Sequence, residues 1–548
     1  MSAPPGPRLL PLGGGTTFAA GTAGPSDRRM LNGAARPGPA TWLDPDARLN
    51  EAGRPGPAAW PDPDARLDLD ARLDLDARLD LDARLDPDAR LAGAVRLAGD
   101  KAARLAAAAA AGLAVLPGWV VPVAEGRPAL SAGAGAVRDG RPAAARRAVL
   151  GQRLDGDLAA ELREAVARLG GRVIVRSSSP LEGDPRWSGA FSSVAEVGPD
   201  DIVAAVRSCW ASAFAVDPLG RLAASGLPPE ALELGVLLQP EIRPAAGGVA
   251  RVTPAADAAG LEVTVEGVAG HPGALLSGWA EGASARVRLA AAPWGPSPTP
   301  GDPRPPVAGE LAELVGSTAV AAVADLAVRA WRLGDDLIEW ATVGGRVWLL
   351  QSRRSAATVG RARTADAMAG RAAAPSAPDT DGGLSLARAR MPLLAAAVLR
   401  RGEHVPGRPG APGTAAGRLL PCRPHERPAG DCGDSILLID RPLPALAPLL
   451  FAARGVIART GAPGSHLAEV ARSLGVPMVL GCRPERVTST PAGGAFLAAI
   501  DGSTGDVALL PAAEGWPVGR VGSGLSALSD LLHPASVLPA PGLSGQRI

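Results

Sequence analysis

His466 stands where a glycine- and proline-rich loop turns into an alanine-rich helical run, within residues 455–482, GVIARTGAPGSHLAEVARSLGVPMVLGC. A side chain at the first turn of a helix sits among unpaired backbone N–H groups, at the positive end of the helix dipole. That position suits a histidine carrying a negatively charged group such as a phosphoryl. It equally suits an ordinary polar residue opening a βαβ helix. Upstream, residues 172–197 read RVIVRSSSPLEGDPRWSGAFSSVAEV, and a β-branched strand delivers Arg176 to a serine run and a glycine-bounded loop. Loops at the carboxyl ends of strands hold ligands in open α/β sheets, and a planar guanidinium there grips phosphate oxygens bidentately. An exposed loop arginine is the plainer reading. In residues 335–354, DDLIEWATVGGRVWLLQSRR, the Gly344-Gly345 turn signal predicts a hairpin of 337–342 with 346–350. It would bring Glu339 together with Gln351 and Arg353. A carboxylate and an amide oxygen suit Mg²⁺, and the arginine can neutralise a phosphoryl group in flight. A polar-edged surface hairpin is the alternative.

The elements that must position these residues are legible from periodicity. Val456 and Ile457 mark a buried strand before the His466 loop; Gly475 stops the helix, and a second apolar run follows at 476–480. Residues 97–123 predict a loop, an Ala-rich helix from about Lys101, a stop at Gly112 and a strand. Leu158, Leu162, Val166 and Leu169 recur at helical spacing over 158–170. A helix is predicted over 201–216, and an apolar strand over 236–242 with Gln239 and Glu241 near its end. Further on, a helical piece is predicted over 383–400, a strand and turn over 434–444 and a closing hairpin over 499–510.

The wording of these stretches resembles the phosphoenolpyruvate synthase and pyruvate phosphate dikinase family. Its phosphohistidine pattern, Gly-Gly-x-Thr-Ser-His-x-Ala-x-x-Ala-Arg-x-x-Gly-x-Pro, is met by Gly461, Ser465, His466, Ala468, Ala471, Arg472, Gly475 and Pro477. Gly464 replaces the threonine, and Glu469 replaces a residue that is usually apolar. Gly99, Lys101, Leu105, Gly112, Leu113, Pro117 and Gly118 follow the layout of the family's first segment, with Asp100 for its second glycine and Trp119 for its aromatic. Val175, Arg176, Ser177, Ser178 and Glu182 hold the places of a Val-Arg-Ser-Ser motif and its acidic partner, and Trp187-Ser188-Gly189 stands for Phe-Ala-Gly. Ile338-Glu339-Trp340 and Leu350-Gln351-Ser352-Arg353 reproduce the hairpin motif, with Leu337 in the place of an aspartate, Asp335 and Asp336 just before it, and Arg354 for a proline.

The resemblance implies an α/β (α+β) fold, an ATP-grasp-like nucleotide domain followed by a swivelling phosphohistidine domain. It implies that Lys101, Arg176 and Arg353 hold phosphates, that the strand of Gln239 and Glu241 holds the adenine edge through its backbone, and that Glu339 and Gln351 bind Mg²⁺. His466 would take a phosphoryl group from ATP, in the family by attack at the β-phosphate, and pass it to an acceptor. The family's large C-terminal pyruvate-binding barrel has no counterpart here, so the acceptor is a small molecule or a separate protein. A nucleotide-binding regulatory or scaffold protein that has lost turnover is the competing expectation, motivated by Leu337, Arg354 and Gly464.

With 548 residues, two or three domains are expected. We divide the chain into a disordered, low-complexity region 1–90, a nucleotide domain 91–355, a linker 356–412, a phosphohistidine domain 413–510 and a tail 511–548. A six-residue unit recurs over 61–90, PDPDAR, LDLDAR three times and LDPDAR, which reads as an Asp/Arg-balanced linker or a self-association element. The 56 basic and 55 acidic residues balance, which argues against a nucleic-acid partner. Tyrosine is absent and arginine almost entirely replaces lysine, the imprint of a GC-rich genome. Cys209, Cys422, Cys432 and Cys482 form no CxxC pair, as expected of reduced thiols without a zinc site. With no run of about 18 apolar residues, a cytoplasmic protein without a membrane partner is expected.

Overall fold

The computed structural model describes residues 8–12, 87–255, 260–290, 307–355, 394–422, 432–433, 435–484 and 496–511. They form a mixed α/β structure built on three sheets. The first is antiparallel, in the order β1-β2-β5-β3-β4, from β1 (Leu10–Pro11), β2 (Trp119–Val121), β3 (Val173–Ser178), β4 (Ser193–Val197) and β5 (Gly235–Pro240). The helices Val123–Arg138, Pro142–Leu150, Gly156–Arg168 and Ile202–Ser212 close one core with it, through Leu130, Val149, Leu162, Val166, Val206 and Trp210. The periodicity read over 158–170 is thus the inward stripe of a helix whose N-cap, Asp155, accepts hydrogen bonds from the N–H groups of Asp157 and Leu158.

The second sheet, β11-β10-β6-β7-β8-β9, is also antiparallel. Its strands are β6 (Ala246–Pro254), β7 (Gly260–Ala269), β8 (Ala283–Ala290), β9 (Val307–Ala308), β10 (Leu337–Val343) and β11 (Arg346–Arg353). The helices Asp100–Ala110 and Ser317–Arg332 pack on it through Leu105, Ala108, Val320, Val323 and Ala327. The predicted hairpin is β10–β11, with Gly344 and Gly345 at φ 58° and 78°, the pair of positive φ values that a tight hairpin turn requires.

The third sheet has the order β12-β19-β18-β14-β15-β16-β17-β13, from β12 (Glu403–Val405), β13 (Arg408–Ala411), β14 (Thr414–Cys422), β15 (Ser435–Ile439), β16 (Gly455–Ala458), β17 (Met478–Leu480), β18 (Phe496–Asp501) and β19 (Asp506–Pro511). Strands β14 to β17 are parallel and carry cores on both faces, so β15 and β16 are buried at every position. Strands covered on both sides read as unbroken apolar runs.

Two sequence expectations need correction. Residues 8–12 are ordered: Leu9, Leu10 and Leu12 are buried, and Leu10–Pro11 adds β1 to the edge of the first sheet beside Val120 and Trp119. A two-residue edge strand is enough to bury those leucines, and no periodicity can announce it. The last part of the stretch read as a linker belongs to the third sheet. β12 and β13 are its two edge strands, and Pro409 sits at an irregularity in β13, where a missing N–H is tolerated. The final turns of the helix predicted over 383–400 are present at 394–401. Most of 1–90, nearly all of the hexad repeat, residues 356–393 and the tail beyond 511 lie outside the described residues.

Candidate functional site

The site lies where the loop after β3 and the β10–β11 hairpin meet the N-terminus of the helix His466–Leu474. Trp187 anchors the loop, buried in the first core and stacked on Phe191 with ring centroids 5.9 Å apart. Arg221 holds it from behind. Its Nη1 donates to the carbonyls of Arg186 and Ser188 at 2.8 and 2.9 Å, while Asp217 receives its Nε and Nη2, both at 2.7 Å. Gly189 follows at φ 66°, and a Cβ there would stand 2.7 Å from two ring carbons of His466. The imidazole therefore rests directly on the loop's backbone.

Ser188 links the two halves. Its Oγ lies 3.0 Å from Nδ1 of His466 and accepts a hydrogen bond from Nη1 of Arg353. Burial, aided by the charge of Arg353, pushes the His466 pKa down to about 4 despite the opposing pull of Glu339, so the ring is neutral at ordinary pH. A neutral imidazole with one nitrogen engaged leaves the other as a nucleophile.

The hairpin places Glu339 directly across from Gln351, so the two side chains share one face of the sheet. Arg176 reaches in from β3. Its Nη2 lies 3.7 Å from Oε2 of Glu339 and donates to Oε1 of Gln351 at 3.4 Å, while Nη1 donates to the Leu350 carbonyl at 2.6 Å and to Gln239 Oε1 at 3.3 Å. Burial raises the Glu339 pKa, but its neighbours His466, Arg176, Arg353 and Lys101 outweigh it and hold the carboxyl below its ordinary value. Lys101 donates to the Ser177 carbonyl at 2.6 Å and to Glu182 at 3.1 Å.

Lys101, Arg176, Gln239, Glu339, Gln351, Arg353 and His466 are thus brought into one largely buried cluster, from the first two sheets, the helix Asp100–Ala110 and the helix His466–Leu474. Glu241 is not among them. β5 ends at Pro240, and Glu241 turns toward β4, where it accepts from the N–H of Glu196 at 3.2 Å. Gln239 serves as a brace, its amide donating to the Leu116 carbonyl at 3.1 Å while its oxygen receives Arg176. Asp335 and Asp336, the acidic neighbours of Leu337, are committed elsewhere: Asp335 to Arg104 and Ser352, and Asp336 to Ser355. Leu337 joins an apolar cluster with Val249, Leu275, Leu276 and Ala462.

Among the described residues, five buried atoms of this cluster have no hydrogen-bond partner: Oε1 of Glu339, Nε and Nη2 of Arg353, Oγ of Ser177 and Oγ of Ser465. Unpaired polar atoms in an interior are destabilising unless a ligand completes them. Two guanidinium N–H donors fit phosphate oxygens, and a free carboxylate oxygen beside the amide oxygen of Gln351 fits a hard divalent cation.

Sequence reasoning missed three contributors. Ser188 was visible only as a departure from Phe-Ala-Gly, because its partners lie 165 and 278 residues away. Arg221 showed nothing beyond an i,i+4 pair with Asp217. The third is the seam between the halves: Glu469 bonds Arg251 at 2.7 Å and Arg472 at 3.0 Å, and the Gly464 N–H donates to Glu266 at 2.9 Å.

Family comparison agrees with the geometry. Residues 95–288 match the pyruvate phosphate dikinase AMP/ATP-binding domain, and residues 432–505 match the PEP-utilising enzyme mobile domain. The β10–β11 hairpin falls between the two matched ranges. No curated protein matches the chain. Among solved structures, holo aconitase X of Thermococcus kodakaraensis is 20% identical over 20% of this chain and 99% of its own, with a TM-score of 0.16. ATP citrate lyase of Methanothrix soehngenii, in complex with citrate and coenzyme A, is 11% identical over 60% of this chain and 87% of its own, with a TM-score of 0.18. At those scores neither likeness bears on fold or function.

Proposed function

Since this chain belongs to the PEP-utilising enzyme family, we propose that it is a dikinase-type phosphotransferase in which His466 accepts a phosphoryl group from ATP and passes it to an acceptor. The observation that carries this reading is that His466, on a unit of its own, stands beside Arg353 and Glu339 and within reach of the charges of Lys101 and Arg221, with Arg176 next to Glu339. The first two sheets would form the nucleotide unit and the third a unit that swivels between nucleotide and acceptor. In the family's chemistry the imidazole attacks the β-phosphorus, a N–P bond forms, the bridging P–O bond to the α-phosphate breaks, and its electron pair leaves with AMP. The terminal phosphate then departs to water or to inorganic phosphate. Arg353, whose Nε and Nη2 have no partner among the described residues, would stabilise the charge gathering on the transferred group. Glu339 and Gln351 would hold Mg²⁺, which neutralises phosphate charge when bound. The acceptor is a small molecule or a separate protein, and a cytoplasmic location suits both.

Incubation with β-³²P-ATP tests the proposal. Acid-labile, base-stable label on the wild type and none on His466→Asn is the expected outcome; AMP-free, label-free protein would sink it. A second reading, a nucleotide-binding regulatory protein without turnover, is favoured by Leu337, whose apolar packing leaves Glu339 as the cleft's carboxylate facing Gln351. ATP binding without AMP formation would establish that alternative.

A further inference from the structure

We propose that the outer edge of β2 is a peptide-binding groove whose ligand is residues 8–12 of this chain, and that filling the groove steadies Arg176 for its grip on phosphate. The second clause rests on the phosphotransfer reading; the first does not. Residues 8–12 read Arg-Leu-Leu-Pro-Leu. They dock as an added strand does, with backbone hydrogen bonds for affinity and pockets for alternate side chains. The N–H groups of Arg8 and Leu9 both donate to Oε2 of Glu161, at 2.9 and 3.0 Å, and that of Leu12 donates to the Gly118 carbonyl at 2.8 Å. Pro11 has no N–H to place. The Arg8 guanidinium pairs with Asp155 at 2.7 Å. Successive side chains of a strand point to opposite faces, and Leu9 accordingly enters the first core while Leu10 and Leu12 enter the second. Without this strand β2 would still be paired with β5 at Trp119, Val120 and Val121. Its outer edge would then present unpaired backbone groups, a template for an extended peptide.

The groove communicates with Arg176 by two routes. Leu10 stands opposite Val120, Val120 opposite Leu237 and Leu237 opposite Arg176, one row across four strands. Residues so aligned share a face of the sheet and pack on one another. The second route runs through Leu12. A Cβ on Gly118 would lie 3.4 Å from Cδ2 of Leu12 and 3.1 Å from Cγ of Gln239, so the leucine flanks the side chain whose oxygen receives Arg176 at 3.3 Å. Along the chain, residues 13–86 separate the segment from the helix Pro87–Ala98, a span long enough for it to leave the groove without displacing that helix. Coupling of this kind is reciprocal: whatever factor the filled groove adds to ATP affinity, bound ATP adds to the hold on the segment.

Hydrogen–deuterium exchange of the wild-type full chain, with and without ATP, tests both clauses. The amides of Arg8, Leu9 and Leu12 should exchange about 10-fold or more faster than those of Val236 and Leu238 on β5, as befits a ligand that leaves while its receptor stays folded. Saturating ATP should slow them about 5-fold or more. In parallel, a full-chain Leu10→Ser/Leu12→Ser variant, whose own segment fills the groove poorly, should bind a labelled, end-capped Arg-Leu-Leu-Pro-Leu peptide by fluorescence anisotropy. Adding Glu161→Ala to that variant should abolish the binding. Segment amides that exchange in step with β5, or a folded variant that takes up no peptide, overturn the groove; the exchange measurement decides alone if the variant does not fold. Exchange that slows as protein concentration rises would seat the segment on a second copy and overturn its assignment to the same chain. Bound ATP that leaves segment exchange unchanged overturns the coupling, whereas a full chain that binds no ATP defeats the phosphotransfer reading and leaves the groove to be judged by the peptide.

Discussion

Lys101 is the only lysine in the sequence. In a chain where arginine has replaced lysine everywhere else, retention at the start of a helix beside the serine run has a steric explanation. Its ammonium fits a slot 2.6 Å from the Ser177 carbonyl and 3.1 Å from Glu182, with the side chain nearly buried. A guanidinium is planar and larger, and it cannot shrink to a point charge. Lys101→Arg, though charge-conserving, should therefore weaken ATP binding about 10-fold or more, as read by calorimetry. The pH behaviour of His466 follows with its sign. The docked ring has its pKa lowered from the ordinary 6.5 to about 4, so between those values the undocked ring binds a proton that the docked ring refuses. Docking is strongest above pH 6.5 and weakens as pH falls toward 4. Initial labelling rates should be level above pH 7 and decline below 6.5; a rate that rises on acidification would contradict this.

At the scale of elements, most of the positioning framework was legible because its signals are local. The Gly344-Gly345 turn fixes the hairpin, Gly475 in the left-handed region (φ 67°) ends the His466 helix, and doubly covered strands show as apolar runs. What was not legible depends on contacts across hundreds of residues. Gly464 and Glu469 looked like erosion of a motif, yet each meets the nucleotide half. A Cβ at Gly464 would lie 2.4 Å from Val249 and 3.1 Å from Glu266. Restoring the threonine should thus harm rather than help. Gly464→Thr is expected to cost about 1–3 kcal/mol through overpacking at the seam, seen as a lower thermal midpoint and slower labelling. Edge strand β13 escaped notice for a related reason, since Arg408, Pro409 and Gly410 describe an edge as well as a linker.

Across the whole molecule, the two halves are joined by a buried charge cluster. Glu469 is 1% exposed and bonds Arg251 on β6 and Arg472 on its own helix. Removing the carboxylate leaves two guanidinium groups facing one another at the seam, and breaking a buried ion pair costs about 3–5 kcal/mol. Glu469→Ala should open the molecule. A larger radius of gyration by small-angle scattering, with label still formed but slowly, is the expected outcome; an unchanged radius would show that apolar packing around Leu337 and Ala462 holds the halves alone. Among the described residues one stretch, Ile202–Ala224, is long and apolar enough to cross a bilayer by length and composition, but Val206, Cys209, Trp210 and Leu222 on it belong to the first core.

Leu10–Pro11 is stitched to β2, and the helix Pro87–Ala98 leads straight into the segment bearing Lys101. Both segments thus belong to the same body, and the chain is anchored to it on either side of the hexads. Closing such a loop grows harder only logarithmically, by about 0.6 kcal/mol for each doubling of its length. Copies of the hexad can accordingly be gained or lost in evolution at almost no thermodynamic penalty. Deleting one should leave the melting temperature within about 1 °C of the parent, whereas trimming Leu9 to Leu12 should lower it visibly.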